Sequence, residues 1–178
     1  MSRVGKQIIK IPAGVEIKED NGTVSVKGPL GTLTRKFYHT IKVVVEGDTV
    51  TAEPIRQSND LRALWGTTGA HLRNMIEGVT KGFSKQLILE GVGYKVALAG
   101  DTLTFDLGFS HQVKVKVPAG IKVVVEKGNI TISGFDKDLV GQFAAEIFDL
   151  KPVEPYKGKG MRFAGQFVRR KQGKKTAA

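Results

Sequence analysis

Apolar and polar residues alternate along several short stretches of the chain. In residues 113–117, three valines fall on one face of an extended segment and two lysines fall on the other. Such alternation is typical of β-strands with one buried face. The same pattern, with Gly-containing turns between neighbouring stretches, predicts two hairpins and one further strand at residues 22–28 with 31–37, 94–99 with 102–107, and 113–117.

Two other stretches carry apolar residues at helical spacing. The first spans residues 61–79 and follows Ser58, Asn59 and Asp60, which are residue types that cap helices. The second spans residues 139–150 and stops before Pro152, which cannot continue a helix. Each predicted helix therefore follows a group of predicted strands.

A repeated segment explains this order. Residues 41–51, IKVVVEGDTVT, and residues 121–131, IKVVVEKGNIT, are identical at seven of eleven positions. Strands followed by a helix, found twice, predict an α+β fold rather than alternating β-α-β units. We expect two tandem similar domains, at residues 1–82 and 83–178, each an antiparallel β-sheet with one α-helix packed on one face.

Composition removes several classes of protein. The chain has no cysteine, which excludes a disulfide framework, a thiolate metal site and a cysteine nucleophile. Its hydrophobic fraction of 40% is ordinary for a globular protein, and no run approaches the ~20 apolar residues of a membrane helix. The first residues also lack the apolar stretch of a secretory signal. These features predict a cytoplasmic protein.

Charge is distributed unevenly along the 178 residues. Lys and Arg number 28 against 17 Asp and Glu, which gives a formal net charge of +11. Residues 151–178 hold nine of those cations and one acid, Glu154, whereas residues 1–150 hold 19 cations and 16 acids. A concentrated basic segment is typical of proteins that bind a polyanion. We expect the first 150 residues to form a scaffold and the last 28 to hold that polyanion.

No group of residues has the spacing of a catalytic or metal site. His39, His71 and His111 lie far apart, and none belongs to a His-x-x-x-His pair. Asp136 and Asp138 resemble a carboxylate pair, but acids at the start of a helix usually satisfy its free N–H groups. The sequence therefore predicts a protein that is not an enzyme and that holds no metal or cofactor.

Residues 152–163, PVEPYKGKGMRF, combine features suited to close docking on folded RNA. Two prolines stiffen the backbone, two glycines permit sharp turns and close approach, and two lysines alternate with those glycines. The tyrosine can stack on a base or bond a phosphate, and the arginine offers a planar donor fork. With the basic residues that follow, the candidate RNA-binding residues are Tyr156, Lys157, Gly158, Lys159, Gly160, Arg162, Arg169, Arg170, Lys171, Lys174 and Lys175.

Three other interpretations of this segment stay open on the residues alone. It can be a solvated basic tail with a flexible Gly-Lys loop. It can be the anion site of an enzyme acting on a phosphorylated substrate, although no acid–base or metal group accompanies it. It can also bind an acidic protein or an anionic membrane, although membrane binding usually uses an amphipathic helix and this Gly-containing segment is a poor helix former.

The segment PVEPYKGKGMRF also resembles the C-terminal signature of the bacterial large-subunit ribosomal protein six family (L-six). The sequences SRVGK at 2–6, IPAGV at 11–15 and RRKQGKK at 169–175 are similar to that family as well, as is the internal duplication. Two positions depart from the family pattern. Met161 stands where Ile or Val is more frequent, and Phe163 stands where Tyr is more frequent, which removes a hydroxyl.

This resemblance implies a structural constituent of the large ribosomal subunit. It implies binding to the large-subunit ribosomal RNA near its 3′ end, close to the sarcin–ricin loop and the base of the factor-binding stalk. The implied partners are that RNA, neighbouring large-subunit ribosomal proteins and translation GTPases that dock nearby, with no membrane. The implied location is the cytoplasmic ribosome.

Overall fold

The computed structural model describes residues 3, 5–56 and 58–173, and it divides the chain into two compact units. The first comprises Met1–Gly82 with Phe135–Lys137, and the second comprises Phe83–Gly134 with Asp138–Ala178. Each unit holds antiparallel strands and one helix. The predicted α+β fold with two similar domains is confirmed.

The first unit contains two sheets. The order in one is β1-β6-β5 and in the other β2-β3-β4, and every pairing is antiparallel. The elements are β1 (Ile9–Lys10), β2 (Glu16–Asp20), β3 (Thr23–Gly28), β4 (Gly31–Lys36), β5 (Ile41–Glu46), β6 (Thr49–Pro54) and α1 (Asn59–Thr80).

The second unit repeats this plan with one strand more. Its sheets have the orders β10-β9-β8 and β11-β12-β7-β13, again antiparallel throughout. The elements are β7 (Phe83–Glu90), β8 (Lys95–Ala99), β9 (Thr102–Asp106), β10 (Val113–Lys116), β11 (Ile121–Glu126), β12 (Asn129–Gly134), α2 (Lys137–Leu150) and β13 (Gly160–Phe163).

Each unit has its own hydrophobic core between its helix and its sheets. Residues that alternate along β3 and β6, such as Val24 and Val50, are fully buried with Leu72 of α1. In the second core, Phe105 and Ile132 pack with Ile147 of α2. Burial of an aliphatic or aromatic side chain of this size contributes about 1.5–3 kcal/mol. Helix and sheets therefore stabilise one another within each unit.

The predicted hairpins, the strand at residues 113–117 and both helices are present, whereas β1, β2 and β7 were not predicted. Each unit holds two small sheets where one was expected. Residues 160–163, for which no strand was predicted, form strand β13. Ser58 takes the N-cap position of α1, but its side chain makes no capping hydrogen bond. No described helix combines the length and the apolar character that a membrane span requires.

Candidate nucleic-acid interface

The basic segment predicted from sequence contains strand β13, which is anchored in the second core. β13 pairs antiparallel with β7, placing Gly160 opposite Glu90 and Arg162 opposite Ile88. Between them, Met161 is fully buried and belongs to the core cluster. An apolar side chain at this position anchors the strand, as the more frequent Ile or Val would. The segment is therefore not a solvated tail at this point.

Residues 151–154 lie beside the start of β13 and close a loop. The backbone N–H of Met161 donates to the carbonyl of Lys151 at 2.8 Å, and that of Val153 donates to the carbonyl of Met161 at 3.1 Å. The N–H of Glu154 donates to the carbonyl of Lys159 at 2.9 Å. These three bonds leave residues 155–157 as the exposed tip of a short loop, which Pro152 and Pro155 stiffen.

The chain after β13 returns to this tip. The backbone N–H of Lys171 donates to the carbonyl of Pro155 at 2.8 Å. The guanidinium of Arg170 lies against Gly158, because a Cβ added there would sit 3.0 Å from Nη2. Gly158 also has a φ of +71°, which favours glycine. We call residues 155–159 together with 167–171 the loop–tail surface.

The loop–tail surface combines exposed cations with exposed aromatic rings. Lys157, Arg169, Arg170 and Lys171 are exposed. No described carboxylate forms a salt bridge with any of them, so their charges face solvent. Tyr156 is 57% exposed, and its ring is available for stacking. Cations beside an exposed aromatic suit a phosphate backbone with unstacked bases.

Gly160 has a structural role that its sequence context did not indicate. It is buried, with a φ of +131°, and an added Cβ would lie 2.6 Å from the carbonyl oxygen of Pro152. Sequence reasoning gave this glycine a close approach to RNA. The structure instead shows a close approach of the chain to itself, which lets residues 151–154 lie beside β13. Its direct contact with RNA stays a prediction.

Arg162 is engaged within the protein. Its Nε and Nη2 both donate to Oε1 of Glu90, at 3.1 and 2.6 Å. The two side chains are 25% and 41% exposed, so the pair lies at the surface rather than in the core. The guanidinium therefore meets a carboxylate of the neighbouring strand, and its charge is offset there. Its predicted contact with phosphate stays untested.

Among the remaining predicted residues, Lys159 is half-buried beside the loop. Lys174 and Lys175 lie outside the described residues. The ring of Phe163 stacks on that of Phe148, with centroids 5.2 Å apart. A ring at this position thus packs within the second unit even without the hydroxyl that is more frequent in the family.

Comparison with known proteins points in the same direction as this geometry. The profile of the family described as ribosomal protein L6 matches residues 11–82 and 90–164, one stretch in each unit. The large ribosomal subunit protein uL6 of Streptococcus uberis is 48% identical over 175 residues, which is 98% of each chain. The proteins of the same name from Enterococcus faecalis and Erythrobacter litoralis are 45% and 47% identical over 98% of this chain and 98–99% of their own. The chain belongs to the ribosomal protein L6 family.

Membership of the L6 family confirms the resemblance and the expected non-catalytic character, since the relatives are named as ribosomal proteins. No cluster of three or more His, Cys, Asp or Glu side chains able to hold a metal occurs in the part of the chain that the structure describes. The L6 profile ends at residue 164, so residues 167–171 of the loop–tail surface lie beyond it.

Sequence reasoning missed one exposed residue in that tail. Phe167 is 89% exposed, next to the cations at 169–171. An exposed ring beside basic residues offers a platform on which an RNA base can stack. The signal in the sequence is the Phe two residues before Arg169-Arg170-Lys171.

Proposed function

We propose that this L6-family chain is a structural constituent of the large subunit of the cytoplasmic ribosome. It binds large-subunit ribosomal RNA through the loop–tail surface. The observation that carries this function is that loop and tail meet in one surface, where exposed cations lie with two exposed rings and no described carboxylate forms a salt bridge with those cations. The chain has two domains, residues 1–82 and 83–178, and the second bears the loop–tail surface.

The site on the RNA lies near the 3′ end of the large-subunit ribosomal RNA, close to the sarcin–ricin loop and the base of the factor-binding stalk. There the protein holds the RNA region where translation GTPases dock, beside neighbouring large-subunit ribosomal proteins. The family resemblance supports this location, and the charge of the loop–tail surface suits a folded, highly anionic RNA.

Binding is chiefly electrostatic. Lys157, Lys159, Arg169, Arg170 and Lys171 hold backbone phosphates and release counterions, while Tyr156 and Phe167 stack on unpaired bases. Phosphates are the same in every sequence, so the cations position the RNA without reading it. Shape and unstacked bases then supply selectivity.

Three other residues of the segment support this surface from within. Because Gly158 has no side chain, the guanidinium of Arg170 can lie against its backbone, and Gly160 likewise leaves room for residues 151–154 beside β13. Arg162 joins β13 to β7 through Glu90. Their side chains and backbone fix where the tip stands, and a fixed tip loses less conformational entropy on binding.

The salt dependence of RNA affinity tests this function. We expect the triple change Arg169→Ala, Arg170→Ala and Lys171→Ala to reduce the slope of log affinity against log salt by roughly 2–3, at about 0.7–0.9 per phosphate. Binding is measured with the full chain, the 3′ region of large-subunit ribosomal RNA and an unrelated folded RNA. Truncation at residue 151 is unsuitable because it removes buried Met161 from the core.

The matched control removes three exposed lysines elsewhere, by Lys18→Ala, Lys42→Ala and Lys122→Ala. This variant has the same net charge as the triple variant. Its slope should stay close to that of the parent chain. If both variants lose slope equally, binding follows net charge alone, and the loop–tail surface is not the RNA site.

A further inference from the structure

A groove in the first unit brings cations and aromatic groups together away from the loop–tail surface. Residues 35–39, at the end of β4 and in the turn after it, form one wall, and α1 forms the other. Its volume is about 650 Å³, which lies in the range of small-ligand sites. The groove is lined by Arg35, Lys36, Phe37, Tyr38, His39, Leu64, Thr67, Thr68 and His71.

The chemistry of this groove suits an anion that carries a flat ring. Arg35 and Lys36 supply positive charge, His39 and His71 supply imidazole groups, and no Asp or Glu is among the described lining residues. Tyr38 is 66% exposed, so one large ring is open to a ligand. A nucleotide within an RNA chain offers a phosphate for the cations and a base for that ring.

The duplication supplies an internal comparison, because the second unit has a groove at the equivalent place. Four residues of α2 line that groove: Leu139, Gln142, Phe143 and Glu146. Their spacing equals that of Leu64, Thr67, Thr68 and His71 in α1. Its other wall holds Lys116 and Pro118, which correspond to Lys36 and Tyr38 at the 80-residue offset of the repeat.

The two grooves share their scaffold and differ in their chemistry. Where the first has Tyr38, Thr68 and His71, the second has Pro118, Phe143 and Glu146. Phe143 is larger than Thr68 at the corresponding position, and the volume of the second groove is about 170 Å³. An acid in the wall repels phosphate, and proline offers no flat ring for stacking. The second groove therefore lacks the exposed ring and carries an acid where the first has an imidazole.

We propose that the groove between residues 35–39 and α1 is a second RNA site, which takes a phosphate and an unpaired base of the large-subunit ribosomal RNA. This inference rests on the proposed function, since it uses the same RNA as ligand. Lys36 holds the phosphate, and Tyr38 stacks on the base. The second unit then binds RNA through the loop–tail surface, and the first unit binds it through this groove.

Affinity of the full chain for large-subunit ribosomal RNA tests the site. Loss of one base stack corresponds to about 5- to 150-fold in affinity, so Tyr38→Ala should weaken binding by at least about fivefold. Tyr38→Phe keeps the ring and should bind within about twofold of the parent chain. Tyr38 is exposed, so the urea midpoint followed by fluorescence of Trp65, the single tryptophan, should stay unchanged. Unchanged affinity of Tyr38→Ala overturns the stacking site.

Charge reversal at equivalent positions provides the matched control. Lys36→Glu and Lys116→Glu change net charge equally and lie at the same place in the two copies. Lys36→Glu should weaken RNA binding by about tenfold or more, and Lys116→Glu by less than about threefold. Equal losses overturn the proposal, because they show a response to net charge alone. Such a result concerns the groove alone, because the proposed function is tested separately by the salt slope of the loop–tail variants.

Directed cleavage separates this site from the proposed function. The chain has no cysteine, so His39→Cys and Ala164→Cys each provide one attachment point for an iron chelate. Ala164 lies beside β13 and probes the loop–tail region. Discrete RNA cleavage from position 39, at nucleotides other than those cut from position 164, supports the groove. Cleavage from 164 alone overturns the groove as an RNA site, including the case in which the groove binds a protein, and keeps the proposed function. Cleavage from neither position contradicts both.

Discussion

Each unit contains a sheet of the same plan, and the sheet of the second unit has one strand more. β5 and β6 of the first unit pair in the same register as β11 and β12 of the second, so Val43 opposite Ala52 corresponds to Val123 opposite Ile132. β1 and β7 take the next place in each sheet. In the second unit the sheet has a further strand, β13, and the exposed cations of the basic segment lie before and after that strand. The loop–tail surface thus lies next to an edge strand that the first unit lacks.

The added strand also shows why charge alone does not identify contact residues. Arg162 lies within β13, where the neighbouring strand supplies Glu90 as a partner. Lys157 lies in the tip of the loop, where no described carboxylate pairs with it. These two cations are five positions apart in the chain. Strand pairing places Arg162 next to Glu90. The charge of Lys157 is not paired with a described carboxylate and is therefore accessible to a molecule outside the protein.

The largest effect is expected at the glycine that joins loop and strand. Gly160→Val places a Cβ 2.6 Å from the carbonyl oxygen of Pro152, at a φ of +131°. Backbone strain costs about 1–3 kcal/mol and overpacking a similar amount, so the free energy of unfolding should fall by about 2–6 kcal/mol. Urea denaturation of the full chain measures this change.

Gly165→Val is the control for that substitution. Gly165 has a φ of +81°, but nothing lies within 4 Å of its Cβ position. Only the strain of about 1–3 kcal/mol should then appear. Equal losses at both positions would show that residues 151–154 do not hold β13 in place. The comparison between an extended and an unextended sheet would then lose its structural basis.

The sequence predicted the duplicated scaffold well and the interface less completely. Alternation and helical spacing are local patterns, and they identified the hairpins around Gly100 and both helices. β13 was missed because residues 160–163 carry only one deeply buried side chain, Met161, and their strand character depends on pairing with distant β7. The partner of Arg162 was missed for the same reason, since Glu90 lies 72 positions away in the chain.

The next effect in size tests the tip of the loop. Tyr156→Ala should weaken RNA binding by about 1–3 kcal/mol if the ring stacks on a base, while Tyr156→Phe should bind like the parent chain. Stability should stay unchanged in both, since this side chain is 57% exposed. Filter binding at constant salt measures the affinities. Equal loss in both variants would assign the interaction to the hydroxyl and a phosphate instead.

A smaller effect is expected at Phe167 in the tail. Its ring is 89% exposed, so Phe167→Ala should leave the urea midpoint unchanged. One stacking contact at the edge of the surface should account for about 1 kcal/mol of affinity for RNA. Leu30→Ala serves as the control, because Leu30 is a half-exposed apolar residue of the first unit. A loss of affinity as large with Leu30→Ala would mean that Phe167 has no specific role.

The smallest effect distinguishes the cation in the sheet from the cation at the tip. Because the Arg162–Glu90 pair is partly exposed, a double-mutant cycle with Arg162→Gln and Glu90→Gln should give a coupling of only about 0.2–1 kcal/mol in unfolding. Arg162→Gln should leave the salt slope of RNA binding unchanged, whereas Lys157→Gln should lower it by about 0.7–0.9. A slope reduced equally by both changes would show that Arg162 leaves Glu90 to hold a phosphate. The added strand would then contribute to RNA binding directly as well as by position.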